Sequence, residues 1–256
     1  MEAVMVQSVK ITKMRCSSAF SLLELAIVIA IIGLLLGGVM ATSSVLTSAK
    51  NKTLVNEGKL YLNAFKQFEQ KYGGGKPGDI GNATSYWTAA PACPTVSGLG
   101  TTCNGNGDGS VQLDREIFLA FNHLSRAGLI PGSYTGNAGA NNSLHGIVGT
   151  NLPSFSMEGV GGYFYTPSAA GYVTGSPYYD GYYGTALFIG ASATNYLPQN
   201  NFLTAATLQE IDTKFDDGRA NTGWIRPFSN YTNCVSGTDY LPTNPNIGCT
   251  IIMLNP

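Results

Sequence analysis

Glu24 stands inside an almost unbroken apolar run, LLELAIVIAIIGLLLGGVMA, from Leu22 to Ala41. A lone ionisable group in hydrocarbon costs on the order of 2 to 3 kcal/mol even on lenient insertion scales, so it reads as a functional group, the plainer alternative being a helix-end side chain that reaches water by snorkelling. Gly33 and Gly37 in the same run form a G-x-x-x-G spacing that permits close helix approach. Ahead of the run, a polar stretch with Lys10, Lys13 and Arg15 ends in Ser17, Ser18 and Ala19. A secretory signal peptide is cut after its apolar region, whereas here the small residues precede it. Cleavage at that point leaves the apolar helix on the mature chain.

Other residues of the chain could also carry chemistry. Asp212, Asp216 and Asp217 in IDTKFDDG are candidate calcium ligands, weighed against a solvent-facing Asp212 and an ordinary helix exit at Asp216-Asp217-Gly218. Asn104, Asn106, Asp108 and Gly109 match the start of an EF-hand-like loop. Its first ligand is neutral, however, and its bidentate position falls on Arg115 rather than Glu116, so a turn-rich loop beside Cys103 is the plainer reading. Calcium is the only cofactor these residues suggest; otherwise none is expected.

The cysteines point to an oxidising compartment. Cys16 lies ahead of the apolar run, leaving Cys93, Cys103, Cys234 and Cys249. Four thiols allow three pairings, and the local one, Cys93 with Cys103 and Cys234 with Cys249, closes short loops rich in Gly, Pro, Asn and Thr. Nine and fourteen intervening residues do not match the close ligand pairs of zinc sites. His123 is expected on the polar side of a helix and His145 in a Gly/Asn loop, and neither has a Ser, Cys or Asp neighbour that would make it a catalytic base. No G-x-x-x-x-G-K-[ST] occurs. The chain is not expected to be an enzyme.

These groups must be positioned by a long helix and a head. The apolar run of about 20 residues makes roughly 30 Å of helix, enough to cross a bilayer core. No Pro occurs between Phe20 and Lys76, and apolar residues recur at near-helical spacing through Val45, Ala49, Val55, Leu62, Phe65, Phe68 and Tyr72. Lysines lie between them and read as a solvated face. The organisation expected is a leader over 1–19, a spine helix over 20–76 with 22–41 as its transmembrane or filament-core part, and a globular head over 77–256. The fold class is α+β, with a small antiparallel sheet and long loops. In the head, Asp114 can cap a helix to about Ala127, with Leu113 and Phe118 as hydrophobic staple and Ile117, Phe121, Leu124 and Gly128 on one face. A second helix can begin at Thr204, with Leu203 and Leu208 as staple and Leu208, Ile211 and Phe215 as its buried face. Strand candidates are Gly162 to Thr166, Gly184 to Ile189 and Thr250 to Leu254.

Composition narrows the classes further. The 256 residues hold 14 Lys+Arg and 15 Asp+Glu, a net charge of -1, with 44% hydrophobic and only 11% charged residues. A nucleic-acid binder needs a basic face and a disordered polyelectrolyte needs charge, so both are set aside and no nucleic-acid partner is expected. Ala127 to Gln209 carries only Glu158 and Asp180 as charges, but nine of the 14 tyrosines. Such a surface can pack against copies of itself at little desolvation cost.

The stretch AFSLLELAIVIAIIGLLLGG, from Ala19 to Gly38, resembles the class III signal of type IV pilins and type II secretion pseudopilins. The resemblance implies that prepilin peptidase cuts between Ala19 and Phe20 and methylates Phe20. Glu24 is then the fifth mature residue, and it is expected to meet the cationic N-terminal amine of a neighbour, since a buried amine and carboxylate each need an opposite partner. The spacing of Phe20 and Glu24 also permits pairing within one chain. Ala19 stands where the family most often has Gly, and the leader has six residues from Met14 or nineteen from Met1. PGDIGNATSYW, AGLIPGSYTG and IDTKFDDG also resemble segments of large pilin-like proteins. The implied chain is a pilin or minor pilin, held in the inner membrane with its head in the periplasm before it joins a surface filament. Its implied partners are membrane lipid, prepilin peptidase, the inner-membrane assembly platform, copies of itself and other pilins. The alternatives are a pseudopilin of a type II secretion system and a membrane-tethered periplasmic binding module.

Overall fold

A computed structural model describes residues 21–87, 103–167, 184–228 and 233–254, with the backbone alone for 38–44. Two units result, Met1–Thr47 and Ser48–Pro256, and helix α1 (Leu22–Lys71) supplies residues to both.

The first unit consists of the start of α1. Leu22, Leu25, Ile29, Leu34 and Leu35 are exposed, as are the apolar residues between them. A helix apolar on every side needs an apolar environment or other helices around it. Among the described residues, no helix is long and apolar enough to cross a membrane. The helix itself runs without a break through the expected span of 22–41, of which residues 38–41 lie outside the described side chains.

In the second unit, α1 turns amphipathic. Leu54, Val55, Leu62, Phe65 and Phe68 are buried at helical spacing, while Lys50, Lys52 and Lys59 are exposed. Gly58 lies on the buried side, where a Cβ would run into the Met253 sulfur, so glycine lets the helix approach the sheet. The helix ends at Lys71. Gly73 and Gly74 take positive φ, and the Gly74 N–H donates to the Glu69 carbonyl at 2.7 Å, closing the last turn.

The remaining elements are α2 (Glu116–Arg126), β1 (Val160–Tyr165), β2 (Ala186–Ala193), β3 (Tyr196–Asn200), β4 (Leu203–Thr204), α3 (Ala205–Phe215), β5 (Ile225–Phe228), β6 (Val235–Ser236), β7 (Asp239–Tyr240) and β8 (Ile247–Met253). Six strands form an antiparallel sheet on the path β1-β2-β8-β4, with β3 paired to β2 and β5 to β8; β6 and β7 form a separate ribbon. An aromatic layer joins helices to sheet: Phe65 lies 4.7 Å and Phe121 5.2 Å from Phe164 of β1, and Tyr61 meets Phe121 edge-on at 5.8 Å. The pilin-like α+β arrangement, an N-terminal helix followed by an antiparallel-sheet head, is present.

Several expectations need correction. The strand expected from Gly162 starts at Val160, β2 starts at Ala186 and runs on past Ile189 to Ala193, and β8 starts at Ile247 and ends at Met253. Leu113 is 41% exposed, so it does not act as a buried staple for Phe118. Helix α2 is buried on nearly every side, from Glu116 to Leu124, rather than on one face. Phe215 is only partly buried. The Thr204 cap is as expected, with its side chain accepting from the Thr207 N–H at 3.2 Å.

Candidate functional site

At the start of α1, Ser21 and Glu24 form a reciprocal cap. The Ser21 N–H donates to Glu24 Oε2 at 3.0 Å, and the Leu23 N–H donates to Ser21 Oγ at 3.3 Å. The cap places a carboxylate at the positive end of the helix, where free N–H groups favour an anion. Ala19 and Phe20, the expected cleavage pair, lie outside the described residues. Gly33 and Gly37 would each meet nothing within 4 Å if they carried a Cβ, so both present open backbone on the apolar helix. The carboxylate and the small residues thus share one exposed apolar helix.

The structure brings Asp212, Asp216 and Asp217 together, with ligand atoms within 4.8 Å of one another. Asp212 is fully buried on α3 rather than facing solvent. Its Oδ2 accepts from the Tyr240 hydroxyl at 2.6 Å and its Oδ1 from the Gly218 N–H at 3.0 Å. Asp216 Oδ2 accepts the N–H groups of Trp224 and Ile225, and Asp217 accepts from the Arg219 N–H and the Thr222 hydroxyl. Burial, more than the neighbouring carboxylates, pushes the Asp212 carboxyl up to about 6. Among the described residues only Asp216 Oδ1 has no donor, whereas calcium takes six to eight oxygens. Donors of the chain itself tie down most of these oxygens, and the three carboxylates remain grouped closely enough that they could hold a metal ion.

A second cluster was hidden from sequence reasoning. The Asp79 carboxylate of the PGD turn accepts the N–H groups of Asp108 at 3.0 Å and Gly109 at 2.9 Å. Glu116 at the start of α2 accepts from the N–H groups of Asn106 and Gln112, at 2.9 and 3.1 Å. Burial pushes the Glu116 carboxyl up to about 7, against the lowering effect of these two bonds. The loop 103–112 is therefore folded around protein carboxylates. Asn104 and Asn106 direct their side-chain oxygens to the N–H groups of Thr84 and Asp108, so the residues of the EF-hand-like pattern serve the turns of the loop itself.

His123 is not on a polar face. It is fully buried, stacked at 6.1 Å on Phe68 and at 5.2 Å on Trp87. Nδ1 accepts the Gly78 N–H at 2.9 Å, which leaves the proton on Nε2 to reach the Cys103 carbonyl at 2.9 Å. Burial holds its pKa down to about 4, so the ring is neutral and ties three segments together. His145 is half-buried, and its Nδ1 has no partner among the described residues. Neither ring is hydrogen-bonded to a nucleophilic side chain among the described residues.

Cys234 and Cys249 form a disulfide with Cα atoms 5.1 Å apart, fastening the β6–β7 ribbon to β8. Cys103 is also disulfide-bonded. Its expected partner, Cys93, lies outside the described residues.

In comparisons with known proteins, no curated protein and no solved structure gives a significant match to the chain. Residues 14–40 match the prokaryotic N-terminal methylation motif, the signature of type IV pilins and pseudopilins.

Proposed function

We propose that this chain is a structural filament subunit, a pilin or minor pilin, cut by prepilin peptidase between Ala19 and Phe20 and polymerised through its N-terminal helix into a type IV pilus-like surface filament. The observation that carries this reading is the methylation motif at residues 14–40, laid over a helix whose apolar side chains are exposed and whose only early charge is Glu24. Before assembly those side chains sit in membrane lipid, with the apolar run from Leu22 to Ala41 spanning it; afterwards they sit against other copies.

Cleavage creates an ammonium at Phe20, and a neighbour's Glu24 neutralises it on docking. Uncleaved chains keep their leader and lack this amine, so only processed subunits complete the pair. The Ser21 cap holds the carboxylate at the helix end, where such a partner arrives. The head lies outside the cytoplasm, consistent with its Cys234–Cys249 bond.

Mass spectrometry of sheared surface filaments tests this directly. The chain is expected there, beginning at N-methyl-Phe20. Glu24→Ala should leave Ala19/Phe20 cleavage intact and reduce incorporation at least tenfold; normal filament yield from that variant would sink the charge-pair argument. The motif is shared by pseudopilins of type II secretion, and loss of exported enzymes without any surface filament would identify that role instead.

A further inference from the structure

Beside α1 in the second unit lies an open cleft of about 470 Å³, lined by Glu57, Leu60, Tyr61, Pro131, Ser133 and Tyr134 among others. Its walls are apolar: Leu60 is 44% exposed, and Tyr61 and Tyr134 contribute rings. Glu57 is its only charged residue. Glu57 Oε2 accepts from the Ser156 N–H at 3.0 Å and from the Ser156 hydroxyl at 3.1 Å, whereas Oε1 has no donor among the described residues. A cleft with apolar walls and one open carboxylate oxygen fits a lysine, whose methylenes lie along the walls while its ammonium reaches the carboxylate.

The same helix offers the complement. Lys59 lies over the Trp224 ring, Lys71 donates to the Ala127 carbonyl and Lys76 to the Gly109 carbonyl. Lys50 and Lys52 are exposed and make no contact of these kinds among the described residues. Lys50 precedes Glu57 by seven residues, so the two share a helix face but are separated by two turns, about 10 Å, too far to pair within one helix. A second copy displaced by two turns along the spine brings its Lys50 level with this Glu57. Because the two patches differ, the contact is head-to-tail, the kind that builds an open helical filament wherever its rotation does not close a ring.

We propose that the Glu57 cleft receives Lys50 of a second copy of this chain. The proposal rests on the filament reading above, and its test separates the two. Membranes from cells making a mixture of ¹⁴N- and ¹⁵N-labelled full-length chain are treated with a zero-length carbodiimide. Peptides are then read by mass spectrometry, which does not require that filaments form. A Lys50–Glu57 cross-link of mixed isotope is expected, and Lys50→Gln, which has no amine to couple, should remove it. A cross-link formed only within single chains, a Lys52–Glu57 link in its place, or no link at all would overturn the proposal. In the same cells, Lys50→Glu and Glu57→Lys should each lower sheared filament at least fivefold with unchanged amounts of cleaved monomer, and the double exchange should restore it to within twofold. A double variant no better than the singles would also overturn the cleft assignment. Glu24→Ala, which leaves the cleft untouched, judges the filament reading on its own.

Discussion

His123 and Glu116 sit on the same buried helix and titrate in opposite senses. His123 has its pKa held below the usual 6.5, at about 4, so the unfolded chain binds the extra proton between these values and stability is lost as pH falls from 6.5 through 4. Glu116 has its carboxyl raised from 4.5 to about 7, so the folded chain binds the extra proton; that stability is present below 4.5 and is lost as pH rises through 7. Each amounts to about 3 kcal/mol at most, since a tenfold change in proton affinity is worth about 1.4 kcal/mol. Asp212, whose carboxyl burial raises to about 6, has the same sense as Glu116. Between about pH 4.5 and 6 the two carboxyls outweigh the histidine, so chemical denaturation of the full chain in micelles should show stability falling as pH rises through that window. Glu116→Gln should flatten the profile, removing about 1.5 to 2 kcal/mol of that fall. An unchanged profile in that variant contradicts the assignment to Glu116. His123→Leu should cost about 2 to 4 kcal/mol at pH 7, because it leaves the Gly78 N–H and the Cys103 carbonyl unpaired in the core.

At the scale of elements, the PGD turn is clamped to α2 through Gly78. Its φ is +93°, and a Cβ there would collide with the Glu116 carbonyl and press on Ala120. Gly78→Ala is expected to cost more than about 2 kcal/mol, through positive φ and backbone displacement together, and to speed hydrogen exchange in the 103–112 loop. An unshifted denaturation midpoint would count against it. This clamp also shows where the sequence was legible. The apolar period of α1, the Thr204 cap of α3 and the three apolar strands could be read because each signal is local. Strands β3 and β5 contain Pro198 and Pro227, which weaken a strand reading, yet β5 pairs on one side only and tolerates the missing N–H. The polar reading of His123 failed because α2 is wrapped by α1, the PGD turn and the Cys103 loop, so its second face is also core. Asp79 and Glu116 were missed as a pair because their partners are backbone N–H groups, which leave no side-chain signature. The PGD turn and the NGNGDG glycines were the available signals.

At the scale of the molecule, the two units depend on different forces. Residues 22–37 expose apolar side chains and have no tertiary core of their own, so their stability comes from the backbone ladder and from whatever apolar phase surrounds them. The head has an aromatic core and the Cys234–Cys249 link, which closes a loop of 15 residues. Chain-entropy arguments give a loop of that size about 3 kcal/mol, a large fraction of the 5 to 15 kcal/mol of an ordinary domain. Reduction should therefore act on one unit alone. In Cys234→Ser without reductant, the full chain in micelles should lose its near-UV aromatic signal at a denaturant concentration lower by about 3 kcal/mol in equivalent stability, while amides of residues 25–37 keep their protection from hydrogen exchange. Dithiothreitol, which also reduces the Cys103 disulfide, should lower it at least as far. Loss of protection at both places together would show that the helix start depends on the head. Retention of both would show that the disulfide adds nothing to the folded head, and that its carboxylate-clamped loops and aromatic layer suffice.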